Sequence, residues 1–436
     1  MAAALWENFP ASKGHDSDLN TKKGERRMTP ARSGRACVLL AILTTASLSA
    51  QAQVPEVFLI DGQTLAAARE AYRSGGGEYK KAILDLVGDA ARVMKAEPGS
   101  VMLKTELPPS GDMHDYMSVA PYWWPDSTRP GGVPYIRRDG VTNPEHNRMG
   151  DRVRLGRLIG DVRTLALAYY ICDKEEYAAR AVLHLKTWFL DPATRMNPHL
   201  KYAQSIKGVI EGRGIGIIDT YGFRDLIDAM QLLKGSRYWT EEIDKGMKEW
   251  FASYLKWLLE STNGKEESAA KNNHGTTYDV QVVSIALYLG KREVAREILL
   301  AAGPKRVAVQ IEPDGSQPLE LERTKSLGYS LMNAEALTNI AMLGKYLGVD
   351  LWHFETNDGR SIGKAVDYLL PYALGEKKWL NTQIEPQRPD RLYPILLIAA
   401  TRFQETKYRS ACAKLFNQSM QEKRSYLLLP AGKWEQ

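Results

Sequence analysis

Two stretches of the chain combine residue types that could do chemistry. The first is Lys271-Asn272-Asn273-His274-Gly275-Thr276-Thr277-Tyr278-Asp279, which follows a charged loop, Gly264 to Glu267, and leads into an apolar segment with helical spacing. Its amides and imidazole therefore fall at a helix N-terminus, where unpaired backbone N–H groups favour an anion. Two Asn and a His beside a Gly would bind a carboxylate there, but Asn is also a preferred N-cap, and residue types alone leave both uses open. In the second stretch, Arg323 and Tyr329 lie six residues apart across Gly328, after Gln317-Pro318-Leu319-Glu320-Leu321-Glu322. A phenol with its ordinary pKa near ~10 is a poor base at neutral pH, and a guanidinium against it favours phenolate. The structural alternative pairs Arg323 with Glu320 or Glu322 and turns Tyr329 into a helix face.

A third group is aromatic. Tyr116, Tyr122, Trp123, Trp124 and Tyr135 crowd a Pro/Gly-rich loop from Pro108 to Gly150. Such rings stack on the apolar faces of sugars or pin the loop as a small core of their own. Two polar groups lie in a second loop, Met196 to Gly216: Asn197-Pro198-His199 leading to Tyr202-Ala203-Gln204, and Glu211-Gly212-Arg213-Gly214. Glycines on both sides of Arg213 let backbone and guanidinium approach a ligand, and turn geometry explains them equally well.

The elements that must position these groups are helices. In Leu155-Leu158-Ile159-Val162-Leu165-Ala166-Tyr169-Tyr170 the apolar steps alternate three and four, as one buried helix face requires. The pattern recurs over 62–95, 175–190, 219–234, 240–260, 279–289, 291–302, 330–347, 361–374, 391–402 and 407–419. Strand-like alternation is almost absent. Around eleven helices joined by short turns exceed what one bundle core can serve, and no Pro/Gly/Ser tract marks a domain boundary. The expectation is all-α: an α/α toroid, an incomplete barrel of helical hairpins, forming one domain over 53–436, with the aromatic loop as a lid or cleft wall.

Composition and charge limit the partners. The chain has 436 residues and a formal charge of +6, but residues 1–53 carry seven Lys/Arg against four Asp/Glu, so about half of that surplus sits in the N-terminal segment. The remainder is too small for a broad nucleic-acid-binding face. Ten Trp and 21 Tyr against eight Phe suit partly wet ligands. No phosphate-cradling Gly-rich loop after a strand, no nucleophile elbow and no metal-ligand spacing occurs, so no metal and no cofactor is expected. Arg32 and Arg35 precede the apolar run Ala36 to Leu43, which ends at Ala50-Gln51-Ala52. This is the pattern of a cleavable signal peptide over 1–52, too short for a permanent membrane anchor, with Met28 as an alternative start. A periplasmic or secreted protein is expected. Cys37 leaves with the signal, and Cys172 and Cys412 read as two buried free thiols.

Taken together, Tyr122-Trp123-Trp124-Pro125, Met196-Asn197-Pro198 with Tyr202-Ala203-Gln204, Asn272-Asn273-His274-Gly275-Thr276 with Tyr278-Asp279, and Leu319-Glu320-Leu321 with Arg323-Thr324 before Tyr329-Ser330 resemble the alginate lyase-like polysaccharide lyases with an α/α toroid. The resemblance spans about residues 100 to 350 and departs at Thr277, where an aromatic is usual. It implies β-elimination on an acidic uronate polysaccharide, with mannuronate-type linkages of alginate favoured and glucuronan next. Tyr329, His274, Asn273 and Arg323 then hold the catalytic positions. Asn273, His274 and Arg323 would neutralise the C6 carboxylate, and Tyr329 would serve as base and then acid. Tyr122, Trp123, Trp124, Gln204, Arg213 and Tyr278 are the expected substrate contacts, and a monomer is the expected state. The rivals are a toroidal glycoside hydrolase, using two of Glu320, Glu322, Asp279 and Glu211, and a non-catalytic exported sugar-binding protein.

Overall fold

The computed structural model describes residues 54–148, 150–386, 388–416 and 423–430. The signal-peptide reading of 1–52 and its cleavage point lie outside the described residues, as does the far end of the helix expected over 407–419. The described residues belong to one compact unit, Ala50–Gln436.

Among the described residues sixteen helices follow one another: α1 Gly62–Arg73, α2 Lys80–Val93, α3 Glu145–Arg148, α4 Asp151–Cys172, α5 Glu175–Leu185, α6 Phe223–Leu233, α7 Glu241–Glu260 and α8 Thr262–Ala269, then α9 Asn273–Tyr288, α10 Arg292–Ala302, α11 Ala308–Gln310, α12 Pro318–Leu321, α13 Ser326–Gly344, α14 Ile362–Ala373, α15 Tyr393–Phe403 and α16 Thr406–Leu415. Helices α4, α6, α9, α13 and α15 pack each on the next, and α5, α7, α10, α14 and α16 flank them on the outside. This is the layering of an incomplete α/α toroid. The inner helices are buried on nearly every side: only His274 and Leu287 of α9 escape burial. A helix apolar all round belongs between two layers, whereas outer helices such as α10 keep one apolar face.

Two helix expectations need correction. The run read as one helix over 62–95 is two, because Gly75, Gly76 and Gly77 all take positive φ (104°, 99° and 49°) and turn the chain between α1 and α2. The helix expected from 279 begins six residues earlier, so the Asn-His cluster lies inside its first turn. Sequence spacing also missed α8, which Ser261 caps by accepting from Gly264 N–H.

The two long loops carry short strands. β1 (Met117–Val119) pairs in parallel with β4 (Tyr202–Ser205), joining the first loop to the second. β2 (Trp123–Trp124) pairs antiparallel with β3 (Ile136–Arg137), with Trp123 opposite Arg137 and Trp124 opposite Ile136. Among the described residues no helix is long and apolar enough to cross a membrane, and Cys172 and Cys412 are buried free thiols.

Candidate active site

The start of α9 uses its polar residues in both ways the sequence left open. Asn272 is the N-cap, its side chain accepting from His274 N–H. Asn273 is fully buried and clasps Glu320 of α12: its backbone N–H donates to Glu320 Oε1 at 2.7 Å and its Nδ2 to Oε2 at 2.8 Å. Burial raises the Glu320 pKa, and these bonds from Asn273 act against the rise. His274 Nδ1 lies 2.7 Å from Glu267 Oε1, and Glu267 is itself buried in α8. With the ring proton on Nδ1 facing that carboxylate, Nε2 keeps its lone pair. Gly275 is required here, since a Cβ would collide with Ala270 O and the Arg306 guanidinium.

The start of α13 builds the second half. Tyr329 Oη lies 2.8 Å from Tyr122 Oη and accepts from Arg323 Nη2 at 3.1 Å, and the Arg323 guanidinium sits 4.1 Å from the centre of the Tyr329 ring. Arg323 is held in turn by Asp139, at 2.9 and 3.3 Å. Asp139 also accepts from Thr324 N–H at 3.2 Å, from Thr324 Oγ1 at 3.0 Å and from Arg137 Nη2 at 2.7 Å. Bound by Asn273, Glu320 ties α12 to the first turn of α9.

The expected effect of Arg323 on Tyr329 is reversed in balance. Burial and the hydrogen bond with Tyr122 push the Tyr329 phenol well above its ordinary value, and Arg323 opposes them without prevailing. Part of the reason is Asp139, whose negative charge sits on the same guanidinium and favours the neutral phenol.

Gln204 and Arg213 form a third group. Arg213 donates to Gln204 O at 3.2 Å and to Gln204 Oε1 at 3.0 Å, and Gln204 Nε2 donates to Asp219 Oδ1 at 3.2 Å. Asp219 also receives the hydroxyls of Tyr116 at 3.0 Å and Ser118 at 2.6 Å. Gln204 takes a positive φ of 49°, uncommon for a residue with a side chain, which turns it out of the β4 path toward these partners.

The remaining sequence candidates separate. Of the three aromatics in a row, Tyr122 alone bonds to the Tyr329 hydroxyl. Trp123 packs on the Ala120, Tyr135 and Ile206 cluster. The Trp124 indole N–H donates to Val141 O at 2.9 Å, and the Arg138 guanidinium lies 5.3 Å from its ring centre. Tyr278 departs from its expected role in substrate contact: it is buried and its hydroxyl is given to Leu258 O at 2.8 Å. Asn273 likewise departs from the expectation of an amide facing a ligand carboxylate, because it is buried and committed to Glu320. The carboxylates available to a hydrolase do not form a pair. Asp279 is locked to Arg306 at 2.7 Å, Glu320 is bound by Asn273, and Glu211 and Glu322 are exposed. Sequence reasoning did not single out Asp139, Glu267 or Asp219; a carboxylate 184 residues from its arginine carries no local signal. Among the described residues no group of three or more His, Cys, Asp or Glu is placed to hold a metal ion.

The sequence profile of the alginate lyase family matches residues 100–379. The chain is similar to an alginate lyase from Bacteroides ovatus of known crystal structure, at 41% identity and a TM-score of 0.83, over 86% of this chain and 99% of that one. It is similar in fold to alginate lyase A1-III from Sphingomonas species A1 in two tetrasaccharide complexes. A histidine-to-alanine variant matches at 16% identity and a TM-score of 0.51, over 83% of this chain and 91% of that one. A tyrosine-to-phenylalanine variant matches at 15% and 0.52, over 87% and 97%. A comparison with curated protein sequences finds no match.

Proposed function

The chain belongs to the alginate lyase family and is a polysaccharide lyase acting on an acidic polysaccharide, and from that premise we propose that it cleaves uronate chains by β-elimination at the Tyr329 centre. The preferred substrate in this reading is alginate with mannuronate-type linkages, with glucuronan second. The observation that carries it is the Tyr329 hydroxyl held between Arg323 at 3.1 Å and Tyr122 at 2.8 Å, with a His274–Glu267 pair at the neighbouring helix start.

The C5 proton of a uronate is weakly acidic while the C6 carboxylate keeps its full charge. Donors from Arg323, and from His274 where its ring carries a proton on both nitrogens, would neutralise that charge and stabilise the enolate-like transition state, by the logic of an oxyanion hole. Asn273 would act through Glu320, which it fixes at the start of α9. The C5–H bond breaks and its electron pair is held in the C5=C6 enolate; that pair forms the C4=C5 double bond as the C4–O4 bond breaks, and O4 leaves with a proton. In β-D-mannuronate H5 and O4 depart on one side of the ring, so Tyr329 could take the first proton and deliver it to O4. Since the phenol is protonated at rest, this route needs its proton to leave first, relayed to solvent through the Tyr122 hydroxyl, which would release its own proton as it accepts. A second reading has one observation in its favour: a neutral phenol beside a His whose Nε2 has a free lone pair suits His274 as base and Tyr329 as acid. That pairing fits L-guluronate, where H5 and O4 leave on opposite sides. We propose that the enzyme acts as a monomer, in the periplasm or after secretion; the basic, then apolar, then small-residue order of the N-terminal segment supports export.

Tyr329→Phe removes the transferable proton in either reading. We expect turnover to fall by at least about 10²-fold, read by ultraviolet absorbance of the unsaturated uronate, while calorimetry still detects bound oligomers. Near wild-type turnover would overturn the assignment. Polymannuronate against polyguluronate separates the two proton routes.

A further inference from the structure

A cavity of about 330 Å³ lies between α4, α6, α13, α15 and the segment around Ser425–Leu429. It is distinct from the Tyr329 centre: Thr338, in its wall, is nine residues along α13 from Tyr329, roughly 13 Å at the helical rise. Its charged lining is Arg163, Arg224, Arg391, Asp225 and Glu335. Arg224 is fully engaged, donating to Glu335 Oε1 at 3.0 Å and to Tyr221 O at 3.0 Å while stacking 3.7 Å from the Tyr221 ring centre. Among the described residues Arg163 reaches only Asp225, at 3.7 Å, and its buried Nε has no hydrogen-bond partner. Arg391 makes no ion pair among the described residues and stands exposed at the rim. The buried Thr338 hydroxyl also lacks a partner. The rest of the wall, including Ile395, Ile398 and Leu428, is apolar.

These features describe a site with one surplus positive charge, polar groups left unpaired and an apolar flank. Buried polar atoms without partners are uncommon and call for a reason. Three guanidiniums against two carboxylates suit a monoanion, and the volume is at the small end of ligand pockets, too small for an oligosaccharide. We propose that this cavity is a second binding site, for a single sugar acid of monosaccharide size, its carboxylate at Arg391 and Arg163 and its ring against Ile395, Ile398 and Leu428. The site does not depend on the chemistry assigned to Tyr329.

The test is calorimetric titration of the full mature chain with sodium D-glucuronate, D-glucose and sodium acetate. Glucuronate is expected to bind saturably, and glucose and acetate at least about tenfold more weakly, since each lacks one half of the recognition. Arg391→Gln, at an exposed position, and the near-isosteric Thr338→Val should each weaken glucuronate binding at least about threefold, without changing turnover of polymer when no glucuronate is present. Arg323→Gln should leave this binding unchanged. Absence of saturable binding, wild-type affinity in either cavity variant, or loss of binding in Arg323→Gln would each overturn the proposal, the last by assigning the bound acid to the catalytic centre.

Discussion

Asp139 governs how much of the Arg323 charge reaches Tyr329. Burial works against its ionised form, but hydrogen bonds from Arg323 and Thr324 and the guanidinium charge hold it far below the usual carboxylate range, so it stays negative at any working pH. That charge and the phenolate compete for one cation. Replacing it in Asp139→Asn keeps the shape and removes the competitor, so Arg323 should favour phenolate more strongly. Where Tyr329 acts as base, the acid limb of the pH–kcat profile should then move to lower pH by about one unit, the scale of one nearby charge. Where Tyr329 acts only as acid, the alkaline limb should move down instead. A profile with neither limb displaced would show that Asp139 anchors the loop and does not tune the phenol. The loop contact itself is tight: Gly140 takes φ +74°, and a Cβ there would collide with Thr324 Oγ1.

Two inner helices present the site, and a buried polar strut fixes one against the other. Asn333 of α13 donates to Gln310 Oε1 and Gln317 Oε1, both at 2.9 Å. Gln310 also accepts from Thr276 Oγ1 of α9 at 2.8 Å and donates to Asn272 O at 3.0 Å, and Gln317 Nε2 donates to Ser330 O at 3.2 Å. The strut runs from the His274 turn to the residue after Tyr329. Asn333→Leu leaves two buried amide oxygens short of a donor, so we expect a loss of about 1–3 kcal/mol in urea unfolding. A fall in kcat larger than any change in KM should accompany it if the displaced parts act as proposed at the Tyr329 centre. Unchanged stability would mean that water replaces the missing donor. The strut also marks what could be read from the chain. The three-and-four spacing located the inner helices, and the Asn-Asn-His and Arg–Tyr stretches marked the candidate site, because both are local patterns. The pairs that hold them, Asn273 with Glu320 and Arg323 with Asp139, join residues 47 and 184 apart, and nothing in local spacing reports such a contact. Tyr278 failed for the complementary reason: its place in a polar cluster resembled a site, but its helical phase turns it toward Leu258.

The two ends of the described chain pack against each other. Asp61 N–H donates to Leu428 O at 3.0 Å, the Tyr79 and Tyr426 rings lie 5.6 Å apart, and Arg424 reaches Thr164 of α4. The N-terminal strap is held by one buried carboxylate. Asp228 of α6 accepts from the backbone N–H groups of Phe58, Leu59 and Ile60 at 2.6, 2.9 and 3.0 Å. Burial raises its pKa to about 6 even though those three donors pull it down. An unfolded Asp titrates near ~3.9, so the folded chain binds this proton more tightly. Below that unfolded value both states are protonated and the group is neutral to stability. Between that value and about 6 the unfolded chain gives up the proton while the folded chain keeps it, so stability falls progressively, by about 3 kcal/mol in all from this group, and stays level above about 6. Asp228→Asn has no such titration, and its Nδ2 meets backbone donors, so the variant is less stable throughout. Its deficit relative to wild type should therefore be larger at pH 5 than at pH 8 in matched urea unfolding, a comparison in which Asp225, Lys345 and the other titrating groups cancel. An equal deficit at both values would mean that Asp228 is ionised across the range and that the strap's three N–H groups outweigh its burial.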